Sequence, residues 1–235
     1  ALVGLYIRRR TEESPAFKRT RAARRLAATP LREALREYRK EMGFSFALAA
    51  LSSLGFYTLA GYFVIYLTTS VGLDRNTALI SNSIALAVAF VAMIVGGWLS
   101  DRIGRRTMAL AGSALSALVA VPAYIIATQG GLGPAILGQG LLALALGLFF
   151  GPVGIMFLEL FPTRVRLSGA GLSYNVAYAV FGGTAPLLST YLVMASGSKI
   201  APAFYMALVS AAVFLVALAI PETYRKPLVR DEEEG

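Results

Sequence analysis

The sequence contains no cysteine and no histidine. Without cysteine there is no disulfide framework and no thiolate metal site. Without histidine there is no imidazole catalysis, no imidazole metal ligation and no imidazole pH sensor. Charge is scarce as well. Asp, Glu, Lys and Arg make up 15% of the chain, against about 25% in ordinary soluble domains, and they are confined to a few patches. Long stretches carry none. A membrane-embedded enzyme is therefore a poor reading, because the apolar stretches hold neither a metal site nor an acid–base pair. No cofactor and no metal are expected.

What is present is apolar sequence: 57% of residues are hydrophobic and the mean hydropathy is +0.65. Six runs stand out, at about Phe44–Thr68, Thr77–Leu99, Thr107–Thr128, Pro134–Leu158, Leu167–Met194 and Ala201–Ile220. A bilayer core needs roughly 20 residues of helix to cross, and each run supplies that. A soluble bundle would need polar outer faces, which these runs lack. The expected fold is all-α and membrane-embedded, with six transmembrane helices in residues 44–220. None of the six runs contains Asp, Glu, Lys or Arg. Ionisable groups inside a membrane are costly and usually functional, and these spans offer none.

The flanks are polar. Ala1–Ile7 is apolar and runs into Arg8, Arg9 and Arg10. It reads as the end of a preceding transmembrane helix. Residues 8–43 read as a cytoplasmic central loop holding an amphipathic helix. Thr29 and Pro30 give a helix start, and Leu31, Leu35, Tyr38 and Met42 form one apolar stripe. Glu33 with Arg36, and Glu37 with Lys40, are spaced for helix-surface pairs. The alternative is a solvated basic linker. Residues 221–235 read as a cytoplasmic tail ending in a solvated acidic run, Asp231 to Glu234.

The net charge of +9 does not indicate nucleic acid, because its distribution follows the membrane. The segment before the first span holds 12 Lys and Arg, the Gly97–Arg106 turn 3, the Arg164–Arg166 turn 2 and the tail 3. The opposite side has Arg75 and Lys199. By the positive-inside bias both ends of the chain are cytoplasmic. Basic residues at that surface are also attracted to anionic lipid heads.

Two polar turns carry the most specific signal. Gly97-Trp98-Leu99-Ser100-Asp101-Arg102-Ile103-Gly104-Arg105-Arg106 lies between the second and third spans. It resembles the loop signature of the major facilitator superfamily, G-x-L-[SA]-D-x-x-G-R-[RK], with every defined position filled. Glu159-Leu160-Phe161-Pro162-Thr163-Arg164, followed by Tyr174-Asn175 and Phe181-Gly182-Gly183, resembles the metabolite:proton symporters of that superfamily. That group includes proline/betaine, α-ketoglutarate, citrate and shikimate permeases. Arg10-Thr11-Glu12-Glu13-Ser14-Pro15-Ala16-Phe17 is similar to the start of its central loop. The resemblance implies the C-terminal half of a twelve-helix transporter, in the cell inner membrane, with a missing N-terminal six-helix half as partner.

The residues of these turns have readable chemistry. Gly97 admits a close backbone neighbour and Gly104 permits a turn. Asp101 is an acceptor suited to an arginine or a helix N-terminus. The resemblance assigns Asp101, Arg102 and Arg105 to a conformational gate. Glu159 and Arg164 flank Pro162 and form either a second part of that charge network or plain interfacial anchors. Candidates for the substrate path are the neutral polar groups Tyr57, Tyr62, Asn82, Gln139, Tyr174, Asn175 and Tyr178. Their alternative is anchoring at the membrane boundary or bonding between helices. Spacings of one and four place Tyr174, Asn175 and Tyr178 on one side of the fifth span.

The function implied is proton-coupled symport of a small polar metabolite, an organic acid or zwitterion, by alternating access. The alternatives are a non-transporting, carrier-derived sensor or assembly subunit, and a non-functional half-transporter fragment.

Overall fold

The computed structural model describes residues 29–224. The expected helix end at residues 1–7, most of the central loop and the acidic tail lie outside the described residues. Seven helices are described: α1 (Pro30–Glu37), α2 (Arg39–Val71), α3 (Arg75–Ile103), α4 (Arg105–Ala127), α5 (Leu132–Glu159), α6 (Arg166–Ser196) and α7 (Ala201–Ala217). Helices α2 to α6 are long and apolar enough to cross a membrane by length and composition. Helix α7 has 17 residues, three fewer than the expected run to Ile220. The cause is Pro221: the residue before a proline is pushed out of the helical region. The chain tightens there, with the Ala219 and Ile220 amides reaching back only three residues, to Val216 and Ala217.

The connections are short and fixed by local chemistry. The Asp74 side chain accepts the Thr77 amide at 3.0 Å and caps α3. The Thr77 side chain first, and then this backbone N–H, hold the Asp74 carboxyl below the usual carboxylate range. Gly104, between α3 and α4, has φ +107°, a conformation that side chains other than glycine rarely adopt.

Helices α2 and α6 are not uniform. Helix α2 widens into π turns at Thr58–Tyr62 and Leu67–Val71. Helix α6 does so at Tyr178–Gly182 and turns at Gly183 and Thr184 before restarting with Pro186 in its first turn. Proline has no N–H to continue the preceding ladder, which accounts for the break. Such π turns recur at functional sites.

The core is built on one close crossing. Helices α3 and α5 meet along Ala89, Ala92 and Gly96 on one side and Gly147 and Gly151 on the other. A Cβ on Gly96 would lie 2.6 Å from the Leu148 carbonyl oxygen, and one on Gly151 would lie 2.6 Å from that of Met93. Small residues let membrane helices approach this closely. Gly97 was the residue expected to admit the neighbour. It does: a Cβ on Gly151 would run into the Gly97 backbone nitrogen, and the close approach extends to Gly96, one residue earlier.

Toward the opposite end, Tyr62, Phe63, Tyr66 and Tyr124 pack together. The Phe63 and Tyr124 rings are 4.9 Å apart, and Tyr66 and Tyr124 5.0 Å. The Tyr66 hydroxyl donates to the Lys199 carbonyl at 3.0 Å, tying down the α6–α7 connection. Burial is uneven. The most apolar stretch of α2 is 67% buried, whereas those of α3 and α6 are 28% and 22% buried. The bundle therefore leaves wide uncovered faces on α3 and α6.

Candidate functional site

A cavity of about 410 Å³ opens between these elements. Helix α2 contributes Ser52 and Phe56, α3 contributes Met93, and α5 contributes Phe150, Val153, Gly154 and Phe157. Helix α6 contributes Tyr174 and Tyr178. Tyr174 and Tyr178 are four residues apart, and their rings stack at 4.0 Å and 26°. Phe157 meets Tyr174 edge-on at 5.7 Å. Ser52 is 5% exposed, yet its Oγ has no hydrogen-bond partner among the described residues. Its neighbour Ser53 is satisfied, donating to the Ala50 carbonyl and to the Ala177 carbonyl of α6. A buried hydroxyl without a partner is costly, so Ser52 is an unused donor on the cavity wall. No ionisable acid or base lines this space apart from the two phenols.

The path candidates divide. Tyr174 and Tyr178 line the cavity. Tyr57 stands beside it: it is 40% exposed, meets Phe56 edge-on at 5.7 Å and packs over Gly182, where a Cβ would come within 2.8 Å of its ring. Asn175 shares their stretch of helix but not the cavity. It is exposed and its Nδ2 donates to the Gly171 carbonyl at 2.7 Å. A spacing of one residue turns a helix by about 100°, enough to take it off the tyrosine face.

The remaining three are buried inside the half. Tyr62 is 1% exposed and its ring lies tilted against that of Tyr66, with centroids 6.0 Å apart. Asn82 donates to the Leu59 carbonyl at 2.6 Å and to Gln139 Oε1 at 3.0 Å. Gln139 Nε2 donates to Ser81 Oγ at 2.8 Å and to the Ala135 carbonyl at 3.3 Å. Leu59 lies in the first π turn of α2. Asn82 and Gln139 thus bond α2, α3 and α5 together rather than facing a path.

At the other end of the cavity lies the charged turn. Arg105 is the centre of its network. Its guanidinium is 2.5 Å from Asp101 and 2.6 Å from Ser100 Oγ, and it pairs with Glu159 at 3.7 Å without a hydrogen bond. The Glu159 carboxylate also accepts from Thr223 Oγ1 at 2.6 Å. Arg102 takes no part. It lies over the Trp98 ring at 3.6 Å, on the last turn of α3, whereas Arg105 stands beyond the Gly104 turn at the start of α4. Arg164 also departs from the expected network. It pairs with Glu33 at 2.8 Å and Glu37 at 3.8 Å, and donates to the Tyr38 hydroxyl at 2.8 Å. The turn containing Pro162 carries it toward α1, away from Glu159.

Comparison with known proteins decides the family. The family described as "Sugar (and other) transporter" matches residues 8–233. The chain belongs to this family, within the major facilitator superfamily. Among curated relatives, the ectoine/proline transporter ProP of Corynebacterium glutamicum is 29% identical over 97% of this chain and 47% of its own length. The glycine betaine/proline/ectoine/pipecolic acid transporter OusA of Dickeya dadantii is 30% identical over 97% of this chain and 47% of its own. The alpha-ketoglutarate permease of Escherichia coli is 35% identical over 94% and 50%. The chain spans about half the length of the curated relatives it matches. A peptide transporter, POT, crystallised with sulfate, shares the fold with a TM-score of 0.63 at 21% identity, over 77% of this chain and 37% of its own. The fold is that of one six-helix half of a twelve-helix major facilitator transporter.

Two functional features of this family member escaped the reading of its sequence. The first is the cavity wall of Ser52, Phe56, Gly154 and Phe157. The Ser52-Ser53 pair inside an otherwise apolar span was the available signal. The second is Glu222. Its carboxylate accepts the backbone amides of Arg105 at 2.8 Å and Arg106 at 3.2 Å. An acid immediately after Pro221, where the last apolar run ends, marked it.

Proposed function

We propose that this chain is the C-terminal half of a secondary carrier working by proton-coupled symport, with both ends cytoplasmic in the cell inner membrane. Alternating access would rock this half against its N-terminal counterpart around the cavity. The uncovered faces of α3 and α6 support such a counterpart, since they flank the cavity mouth. The six apolar runs hold no acid or base, so the coupling carboxylate belongs to the other half. The network of Asp101, Arg105 and Glu159 acts as the latch of one state, with Gly97 and Gly104 shaping its turn. Residues 8–43 form the central loop, and residues 221–235 the tail.

The observation that carries the substrate reading is the wall itself, five aromatic rings and one unused hydroxyl. Aromatic faces attract methylated ammonium groups, and Ser52 Oγ offers a donor to a carboxylate. Both fit a small zwitterion better than a multiply charged acid, which would find no cation on this wall. Relatives named for betaine, proline and ectoine point the same way, and the permease named for α-ketoglutarate marks the competing organic-acid reading.

The test is uptake into proteoliposomes by the complete protein under an imposed pH gradient. Glycine betaine is expected to accumulate and to outcompete citrate, and Tyr178→Leu is expected to weaken that preference. Absence of gradient-driven uptake across betaines, amino acids and carboxylates would sink the carrier reading. Uptake of citrate alone would sink only the substrate.

A further inference from the structure

Helix α1 is divided by charge. Ala34 is fully buried against the bundle. Glu33 and Glu37 lie on the edge turned to Arg164, whose guanidinium pairs with both. Past Glu37 the helix breaks at Tyr38, at φ −114° and ψ 36°, and this break keeps Tyr38 beside Arg164. The expected apolar stripe is therefore split. Tyr38 and Met42 pack on the core, but Leu31 and Leu35 are turned away and are 47% and 45% exposed. The expected pairs of Glu33 with Arg36 and Glu37 with Lys40 do not form, since Arg164 takes both acids. Thr29 precedes the helix without a side-chain cap bond.

What remains uncovered is a face of two leucines with Arg32, Arg36, Arg39 and Lys40, all exposed. Arg39 Nε donates to the Leu35 carbonyl at 2.9 Å, which holds its guanidinium beside the leucines. Among the described residues no carboxylate pairs with any of these four cations. The sequence just before α1 adds Lys18, Arg19, Arg21, Arg24 and Arg25. The helix also stands at the end of the bundle where Trp98, 51% exposed, carries Arg102 on its ring. An exposed tryptophan with a basic partner is the pattern of a membrane boundary.

We infer that the Leu31, Arg32, Leu35, Arg36 face of α1, extended by Arg39 and Lys40, is a docking surface for anionic phospholipid headgroups. The cations meet phosphodiester groups and the leucines enter the edge of the acyl region, as interfacial helices do. Charge complementarity selects this occupant over the companion half. Under the orientation proposed above, loops of that half at this end carry an excess of Lys and Arg, and they repel a basic face. Through Glu33, Glu37 and Arg164, the lipid-bound helix is tied to the α5–α6 turn. Anionic lipid then holds that turn in place.

The experiment is amide hydrogen exchange of the purified protein in nanodiscs of phosphatidylcholine alone or mixed with phosphatidylglycerol. The expected result is several-fold slower exchange across residues 31–40 in the anionic discs, lost as salt is raised. The double substitution Arg32→Gln with Arg36→Gln should remove the lipid dependence and leave amides of the α3–α5 crossing unchanged, which reports that the bundle is still folded. Inorganic phosphate added to neutral discs should not reproduce the protection. Equal exchange in both discs overturns the proposal, as does protection by free phosphate. Protection that needs the companion half and ignores lipid also overturns it and assigns the face to a protein contact. No transport is measured, so this result and the test of the carrier reading fail independently.

Discussion

The carboxylate of Glu222 sits on the N-terminus of α4, 2.8 Å from the backbone nitrogen of Arg105. The favour is returned across the same gap. The Arg106 guanidinium donates to the carbonyls of Ala217, at 3.3 Å, and Leu218, the C-terminal end of α7. Each helix end thus receives a charge of the sign its dipole favours. Gly104 makes room for this. Its φ of +107° and its contact with the Glu222 carboxylate, whose Cδ would lie 3.0 Å from an added Cβ, leave no space for a side chain.

Glu222→Ala should therefore lower stability by about 1 kcal/mol, as losing an N-terminal cap does. Glu222→Gln should cost less, since it keeps an acceptor and loses only the charge. Gly104→Ala should cost about 1–3 kcal/mol through backbone strain, with displacement of Glu222 added to it. Thermal unfolding in detergent ranks the three. An unchanged midpoint in Glu222→Ala would remove the cap from the argument.

The members of the charged latch should differ sharply. The Arg105 side chain is 11% exposed and Glu159 15%, whereas Asp101 is 60% exposed. Solvent screens the Asp101 pair, so Asp101→Asn should cost under about 1 kcal/mol in stability. Arg105→Ala leaves Glu159 charged and mostly buried with Thr223 as its remaining partner, a loss of up to about 3–5 kcal/mol. Parallel unfolding curves for the two variants check this. Equal losses would mean that the Asp101 contact, not burial of Glu159, dominates the network.

The buried amides offer a third test. Asn82→Ala leaves the Leu59 carbonyl and Gln139 Oε1 without their donor, at about 1–3 kcal/mol. Asn82→Ala and Gln139→Ala should not add, because they delete one shared bond. A double-mutant cycle should give a coupling on the order of 0.6–1.7 kcal/mol, the range seen for bonds between membrane helices. The first π turn of α2 should also loosen, seen as faster amide exchange at residues 58–64. A coupling of zero would show that the two amides act separately.

Why some of this was legible in the sequence and some was not follows from the range of the interactions. Apolar runs report their own helices, so the six helices and the turn at Gly104 could be read directly. Helix ends depend on the residues of the turn that follows, which is why Pro221, four positions past Ala217, shortened α7. The residues of Gly97–Arg106 announced a charged turn, but which arginine was central depended on Glu159 and Thr223, far along the chain. Asn82 and Gln139 are polar residues in apolar spans, and composition alone does not separate a path residue from an interhelical bond. Ser52 stands out only because Ser53 beside it is satisfied by Ala177, and that contact crosses 124 positions of sequence.

Two glycines of α5, three residues apart, should respond oppositely to one added methyl group. A Cβ on Gly151 would meet Met93 and Gly96 backbone atoms at 2.6 and 2.7 Å. Backbone cannot yield as a flexible side chain can, so Gly151→Ala should part α3 from α5 and cost about 1–3 kcal/mol, as overpacking does. Gly154 has nothing within 4 Å of its added Cβ, and it lines the cavity. Gly154→Ala should leave stability within about 0.5 kcal/mol, and Gly154→Val should follow it closely. Both project into the space beside Phe157 and Tyr174, so they should weaken binding of the bulkiest substrate first. Measured together in the complete protein, unfolding midpoints and competition by a graded series of betaines separate the two sites. A Gly154→Val protein that is stable and binds every member unchanged would show that the cavity is not where substrate rests.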